Sequence, residues 1–479
     1  MSKIKKNLFY NILLSISQVI FPLITFSYAA RVINPDGIGL VAFVESICRY
    51  AMLIAALGVP IYGIKEVGKY KDDKVKLSEL CSELIFIHFI TTIFIILVYT
   101  LMIFTLDKFH QDLSFYILGI FMILSNVFVI EWYFQGIGDF KYITGRTVII
   151  RTLTTISVFF LVTNSQDSIY FFLLSVVANI LNGFINFWYA KKSISFNFNI
   201  KLSSLKKHYK PLLYIFSTTL SISVYILLDT VMLGFLSDEK AVGFYSIALR
   251  IGRVPILFVG ALGVVLIPQL AYIYGKNNLQ EFSRLISKSI NFVITFSFPV
   301  IFLILGISEE LIVTLAGDEF IEATTTLQIV SVVVFFIGMS NIFGLQILTP
   351  MGKHKYLTYS VLAGTFISIF LNYILIPILH ENGAAISYVL TELVVAVTTF
   401  YFASKFIDMK IDYKLMVKTF LFCVPIYFIP LGIHSFTRNN VLLSILTPVV
   451  AGLYYLGIQV YLIKNEIIIE LTNKLKQKL

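Results

Sequence analysis

Residues 138–144 read GDFKYIT, and residues 352–358 read GKHKYLT. Each stretch follows a long apolar run and both obey GxxKYxT, with Gly138 matching Gly352, Lys141 matching Lys355, Tyr142 matching Tyr356 and Thr144 matching Thr358 at an offset of 214. Further correspondences lie upstream. DGIG from Asp36 faces KAVG from Lys240, and Arg49 faces Arg253, at an offset of 204; ALGV from Ala56 recurs from Ala261 at 205; Gly68 with Lys69 faces Gly275 with Lys276 at 207. The offset only grows along the chain, as loop insertions between two copies of one unit make it. Chance matches would scatter.

The unit that repeats is a set of membrane helices. Hydrophobic residues make up 58% of the 479 positions and charged residues 13%, too few charges to coat several globular surfaces. Apolar runs of about 20 residues are the length a helix needs to cross a hydrocarbon core of roughly 30 Å. The pattern predicts an all-α membrane protein of about fourteen helices, at 8–30, 38–61, 80–104, 115–135, 147–163, 169–190, 211–236, 243–274, 285–307, 325–348, 357–378, 383–404, 416–434 and 441–463. The two copies stand six helices apart. An even number gives them one orientation, so they form parallel repeats about an axis along the membrane normal.

The domain reading follows: an amino-terminal lobe at 1–190, a basic linker at 191–210, a second six-helix lobe at 211–404, and an added helix pair with a basic tail at 405–479. Two such lobes are expected to enclose a cavity. Within this scheme 29 of the 37 basic residues fall in loops on the side of the termini, among them Lys141 and Arg146, against Arg31, Lys108, Lys240 and Arg438 on the other. Lys and Arg gather in short cytoplasmic loops, so both ends are expected to be cytoplasmic. The net charge of +10 is accounted for by topology and by anionic headgroups, and gives no argument for nucleic acid. GxxKYxT itself reads as a cytoplasmic turn, with Gly at the bend, Lys at the headgroups and Tyr at the interface, or as a gating contact between lobes.

Four arginines remain inside predicted helices: Arg49, Arg151, Arg250 and Arg253. Arg151 is near a helix end and can snorkel. Arg49 lies roughly 16 Å into helix two by helical rise, and Arg253 at the matching depth of helix eight. An arginine there costs at least about 2.5 kcal/mol against lipid, so it should face the bundle interior or water. Its charge is permanent and its planar fork grips phosphate oxygens two at a time, so these positions predict a cavity for a phosphate or pyrophosphate. Arg250 joins them as a candidate, and so does Arg31 beside the turn of Asn34, Pro35, Asp36 and Gly37. Glu45 shares a helical face with Arg49 and is an ion-pair candidate. Asp229 and Glu392 are candidates for a proton or sodium site, or for helix-to-helix hydrogen bonding.

Absences narrow the field. The sequence has no GxxxxGK[ST] loop for nucleotide, no HExxH and no paired-cysteine metal site; Cys48, Cys81 and Cys423 are widely spaced. No catalytic residue, metal or cofactor is expected, and any uphill work would draw on an ion gradient, of H+ or Na+, or on consumption of the product.

Three stretches resemble a known family: AARVINPDGIGLVAF near Ala29, EWYFQGIGDFKYITGR near Glu131 and LDTVMLGFLSDEKAVGFYSIALRI near Leu228. They resemble the Wzx-type oligosaccharide flippases of the polysaccharide-transport family, in the superfamily that also holds lipid II flippases and multidrug and toxin extruders. The resemblance covers about the first 404 residues. It implies a non-enzyme of the bacterial inner membrane that turns undecaprenyl-pyrophosphate-linked oligosaccharide from the cytoplasmic to the outer leaflet by alternating access, for O-antigen or capsule assembly. Membrane lipids, a polysaccharide polymerase and chain-length proteins are the implied partners. Arginines on helices two and eight of relatives match Arg49 and Arg253, and the final helix pair of lipid II flippases, which helps form a groove for the lipid tail, corresponds to helices thirteen and fourteen. The alternatives are a cation-coupled drug antiporter of the same superfamily, which favours an acidic or aromatic cavity, and a membrane-embedded polymerase, which calls for a substantial outer loop. The excess of interior arginine opposes the first, and the short outer loops oppose the second.

Overall fold

A computed structural model describes residues 3–197 and 200–463. The tail lysines Lys464, Lys474, Lys476 and Lys478 lie outside the described residues. Among the described residues there are helices and turns and no strand. Only a helix satisfies every backbone group within its own segment, which hydrocarbon demands. Among the described residues eleven helical segments are long and apolar enough to cross a membrane, so the chain is a multi-pass membrane protein.

By contacts the chain divides into two compact units, Met1–Gly243 and Phe244–Leu479. The first contains α1 (Lys3–Val32), α2 (Pro35–Ala56), α3 (Val59–Tyr70), α4 (Lys74–Thr105), α5 (Leu113–Ser125), α6 (Glu131–Ile137), α7 (Phe140–Leu161), α8 (Ser168–Ala190) and α9 (Leu202–Leu236). The helix expected at 38–61 is interrupted at Leu57 and Gly58, both at positive φ (47° and 79°). Pro60 explains the break, because it has no N–H to donate to the Ala56 carbonyl and its ring crowds that carbonyl, so it fits only the first turn of the helix that follows. α3 then packs on α6 so closely that a Cβ on Gly63 would stand 2.5 Å from the Trp132 ring. Leu80, Leu84, Ile130, Trp132 and Phe134 form the buried core there. A second aromatic group joins α2, α5 and α9: Phe43 meets Phe235 edge-on at 5.3 Å and Phe109 meets Tyr116 at 4.5 Å.

α10 (Glu239–Gly252) bridges the boundary, and the second unit continues with α11 (Ile256–Gly275), α12 (Leu279–Ala316), α13 (Ala323–Ser331), α14 (Val333–Asn341), α15 (His354–Ser404), α16 (Tyr413–Cys423), α17 (Ile429–His434) and α18 (Asn440–Ile458). α15 is two helices rather than one, since His380 (φ 49°) leaves the helical region and the chain turns back on itself. The halves pack antiparallel: Ser387 Oγ donates to the Ser368 carbonyl at 3.4 Å, and Gly383 lies against the Leu375 carbonyl. This matches the two helices expected at 357–378 and 383–404. The terminal pair α16 and α18 packs on α12, where Tyr455 Oη donates to the Thr295 carbonyl at 2.6 Å and receives Gln459 Nε2 at 2.6 Å.

Large apolar side chains such as Leu97, Phe160, Phe366 and Leu453 are more than 60% exposed. In water such a belt would drive aggregation. In a bilayer these side chains meet acyl chains.

Candidate anion-binding residues

Arg49 lies on α2, and its Nη2 is 2.9 Å from Glu45 Oε1, one turn earlier. The guanidinium is about half exposed (53%) while Glu45 is largely covered (17%), so the carboxylate fixes one edge of the fork and leaves the other free of the helix packing. The opposite side of α2 explains the orientation. Cys48 is buried against Tyr99 Oη at 3.8 Å, and a Cβ on Gly119 would meet the Cys48 sulfur at 2.6 Å, so α4 and α5 fill that side and turn Arg49 away from them. Tyr50, the next residue, lies within electrostatic range of the buried Asp229 on α9. The first unit therefore gathers Glu45, Arg49, Tyr50 and Asp229. Arg31 ends α1 and is exposed.

Arg253 departs from the sequence expectation. It does not continue a helix but occupies the turn of residues 253–255 between α10 and α11. Pro255 is the physical reason: it has no N–H to donate and it disfavours the helical conformation at Val254. The Arg253 backbone still closes α10 by donating to the Leu249 carbonyl at 3.0 Å. Its guanidinium carbon stands 5.2 Å from the centre of the Tyr388 ring, a cation–π distance. Glu392, buried, is one turn further along the same helix, and Arg250 precedes Arg253 by one turn of α10.

The GxxKYxT copies also differ from the loop that the sequence suggested. Gly138 and Gly352 both adopt positive φ (78° and 68°), the bend each was read to make. Lys141, Tyr142 and Arg146, however, already belong to α7, because Asp139 caps the Tyr142 N–H at 3.2 Å and starts the helix at once. Arg146 is buried, donating to Glu131, to Asn186 and to Thr147 Oγ1 (3.0 Å). Tyr142 stacks on Tyr189 at 4.0 Å and donates to the Ile185 carbonyl at 3.2 Å. The linker likewise holds more than charge. His208 is buried between Glu83 Oε2 (2.9 Å) and Tyr62 Oη (2.9 Å), and Lys207 pairs with Glu83 at 2.8 Å.

The described residues build a multi-pass helical membrane protein, with Arg49 on a candidate spanning helix. Residues 4–274 match the family of polysaccharide biosynthesis proteins, and residues 215–374 match the MatE family. The chain belongs to the polysaccharide biosynthesis protein family. It is 23% identical to a protein of Escherichia coli K12 named "Putative O-antigen transporter" over 82% of this chain and 94% of that one. It is 22% identical to the capsular polysaccharide biosynthesis protein CapF of Staphylococcus aureus over 75% of this chain and 95% of the relative. Among solved structures it shares the fold of the lipid II flippase MurJ in an inward closed conformation, with a TM-score of 0.73 at 14% identity, over 96% of this chain and all of the other. That coverage takes in the terminal helix pair.

Proposed function

We propose that the protein carries an undecaprenyl-pyrophosphate-linked oligosaccharide from the cytoplasmic to the outer leaflet of a bacterial inner membrane, by alternating exposure to the two sides, for O-antigen or capsule assembly. Both termini are cytoplasmic in this reading. The observation that carries it is the presence, in a member of this family, of Arg49 and Arg253 at positions matched by the offset of 204, Arg49 on α2, a candidate membrane span, and Arg253 at the α10–α11 break. Each guanidinium fork can take two phosphate oxygens of a pyrophosphate, and Arg250 is one turn from Arg253. Glu45 holds Arg49 in one rotamer and tempers its charge, so the anion is gripped without being trapped.

The lipid portion has a candidate seat of its own. Phe292, Phe296 and Leu303 of α12 face Ile426 and the α18 residues Ala451 and Leu456 across a cavity of about 310 Å³. Its walls are almost wholly apolar, which suits a stretch of polyprenyl chain. Asp229 and Glu392 are the residues to test for H+ or Na+ coupling. Deleting the gene tests the reading: lipid-linked units should accumulate on the cytoplasmic side and surface polysaccharide should disappear. Drug sensitivity that rises while polysaccharide stays normal would refute it.

A further inference from the structure

A second cavity in the Phe244–Leu479 unit has chemistry that pyrophosphate transport does not use. It holds about 730 Å³ between the first turns of α12 and the segment 406–412 that leads into α16. This is the end of the unit that carries the basic residues Lys276 and Lys405. Ser283, Arg284, Ser287 and Asn291 line one wall; Asp408 and Lys410 line the other.

The two signs are balanced. Arg284 and Lys410 stand against Asp408 and Asp412, and all four line the cavity. Arg284 is tied to Glu281 at 2.6 Å yet remains 60% exposed, so most of its donors stay available. Asp412 gives one oxygen to the Leu415 N–H at 2.8 Å, and Ser283 Oγ donates to the Asp408 carbonyl at 2.5 Å, which fixes the loop against α12. Asn291 Oδ1 is buried and has no hydrogen-bond partner. A buried acceptor left unmatched is costly, and a ligand N–H that reached it would supply the missing donor.

We propose that this cavity binds the headgroup of a zwitterionic phospholipid bearing a primary ammonium, of the phosphatidylethanolamine type. The phosphate meets Arg284 and Lys410, and the ammonium donates to the Asp408 carboxylate and to Asn291 Oδ1. A purely anionic headgroup would face two carboxylates. A trimethylated ammonium would satisfy the charge and leave Asn291 unmatched, because it has no N–H. The acyl chains have an apolar path beside the cavity, where Tyr413, Val417 and Leu421 recur one turn apart along α16 with more than half their surfaces exposed.

The test uses the full-length protein purified in detergent and stripped of lipid. Retention of phosphatidylethanolamine, phosphatidylcholine and phosphatidylglycerol is measured by native mass spectrometry, with thermal unfolding as a second readout. The ethanolamine lipid should bind roughly tenfold more tightly than the choline lipid, a difference of about 1.4 kcal/mol. Asp408→Asn combined with Asn291→Leu should abolish that preference. Equal retention of the three lipids, stronger retention of phosphatidylglycerol, or an unchanged preference in the double variant would overturn the proposal. Should the variant fail to fold, the comparison of lipids on the unaltered protein still decides.

Discussion

Gly39 and Gly243, equivalent positions of the two repeats 204 residues apart, lie against each other: a Cβ on Gly39 would come within 2.8 Å of the Gly243 nitrogen and would overlap the Glu239 carbonyl, and one on Gly243 would overlap the Pro35 carbonyl. Both residues lie in the Met1–Gly243 unit. The approach is backbone on backbone, which only glycine permits. Gly39→Ala or Gly243→Ala should therefore cost about 1–3 kcal/mol through overpacking, because a carbonyl cannot move aside as a side chain can. Thermal unfolding of each variant checks this, and Gly145→Ala, where a Cβ would meet nothing within 4 Å, is the control.

The paired turns give a second expectation. Gly138 and Gly352 hold positive φ, and at Gly352 an added Cβ would have nothing within 4 Å, so only backbone strain opposes it. Gly352→Ala should cost about 1–2 kcal/mol, with Gly352→Asn recovering part of the loss. A cost near zero in the unfolding midpoint would show that the turn does not need its glycine.

Asp112 should make stability depend on pH in a defined direction. It lies between α4 and α5, where burial and the nearby Glu239 charge raise its pKa and Lys108 opposes them. Lys108 is itself held by Glu239 at 2.6 Å. With the folded pKa above the unfolded one, the native state binds the proton more tightly, so Asp112 costs nothing below its ordinary value of 3.8. Its destabilising effect appears as pH rises from that value through the raised one. Asp112→Asn should flatten this part of the profile and stabilise the protein at neutral pH.

Arg146 should matter to folding rather than to substrate. Its guanidinium is 3% exposed and holds Glu131 and Asn186, so Arg146→Ala should cost about 3 kcal/mol by leaving those partners unmatched. Arg146→Met with Glu131→Gln should recover much of that loss. Thermal unfolding and membrane yield measure both.

Much of the fold was legible in the sequence because membrane helices announce themselves by length. Helix ends were less so. Asp139 starts α7 within a stretch of polar residues that hydropathy reads as loop, and Pro255 breaks α10 from α11 inside an apolar run that hydropathy reads as one helix. Arg146 looked like a loop cation for the same reason, although Glu131, fifteen residues earlier, was the available signal. The Glu45–Arg49 pair was readable from its i,i+4 spacing. The company Tyr50 keeps with Asp229, and Arg253 with Tyr388, was not, since neither spacing nor composition encodes contacts between distant helices.

The central claim, that Arg49 and Arg253 grip the phosphates of a lipid-linked sugar, is tested most directly in a strain lacking the gene. Arg49→Ala with Arg253→Ala is expressed there, with membrane level and unfolding midpoint matched to the unaltered protein. The account predicts loss of surface polysaccharide and accumulation of lipid-linked units on the cytoplasmic side, with partial recovery when both positions carry lysine. Normal surface polysaccharide from the double alanine variant would contradict it.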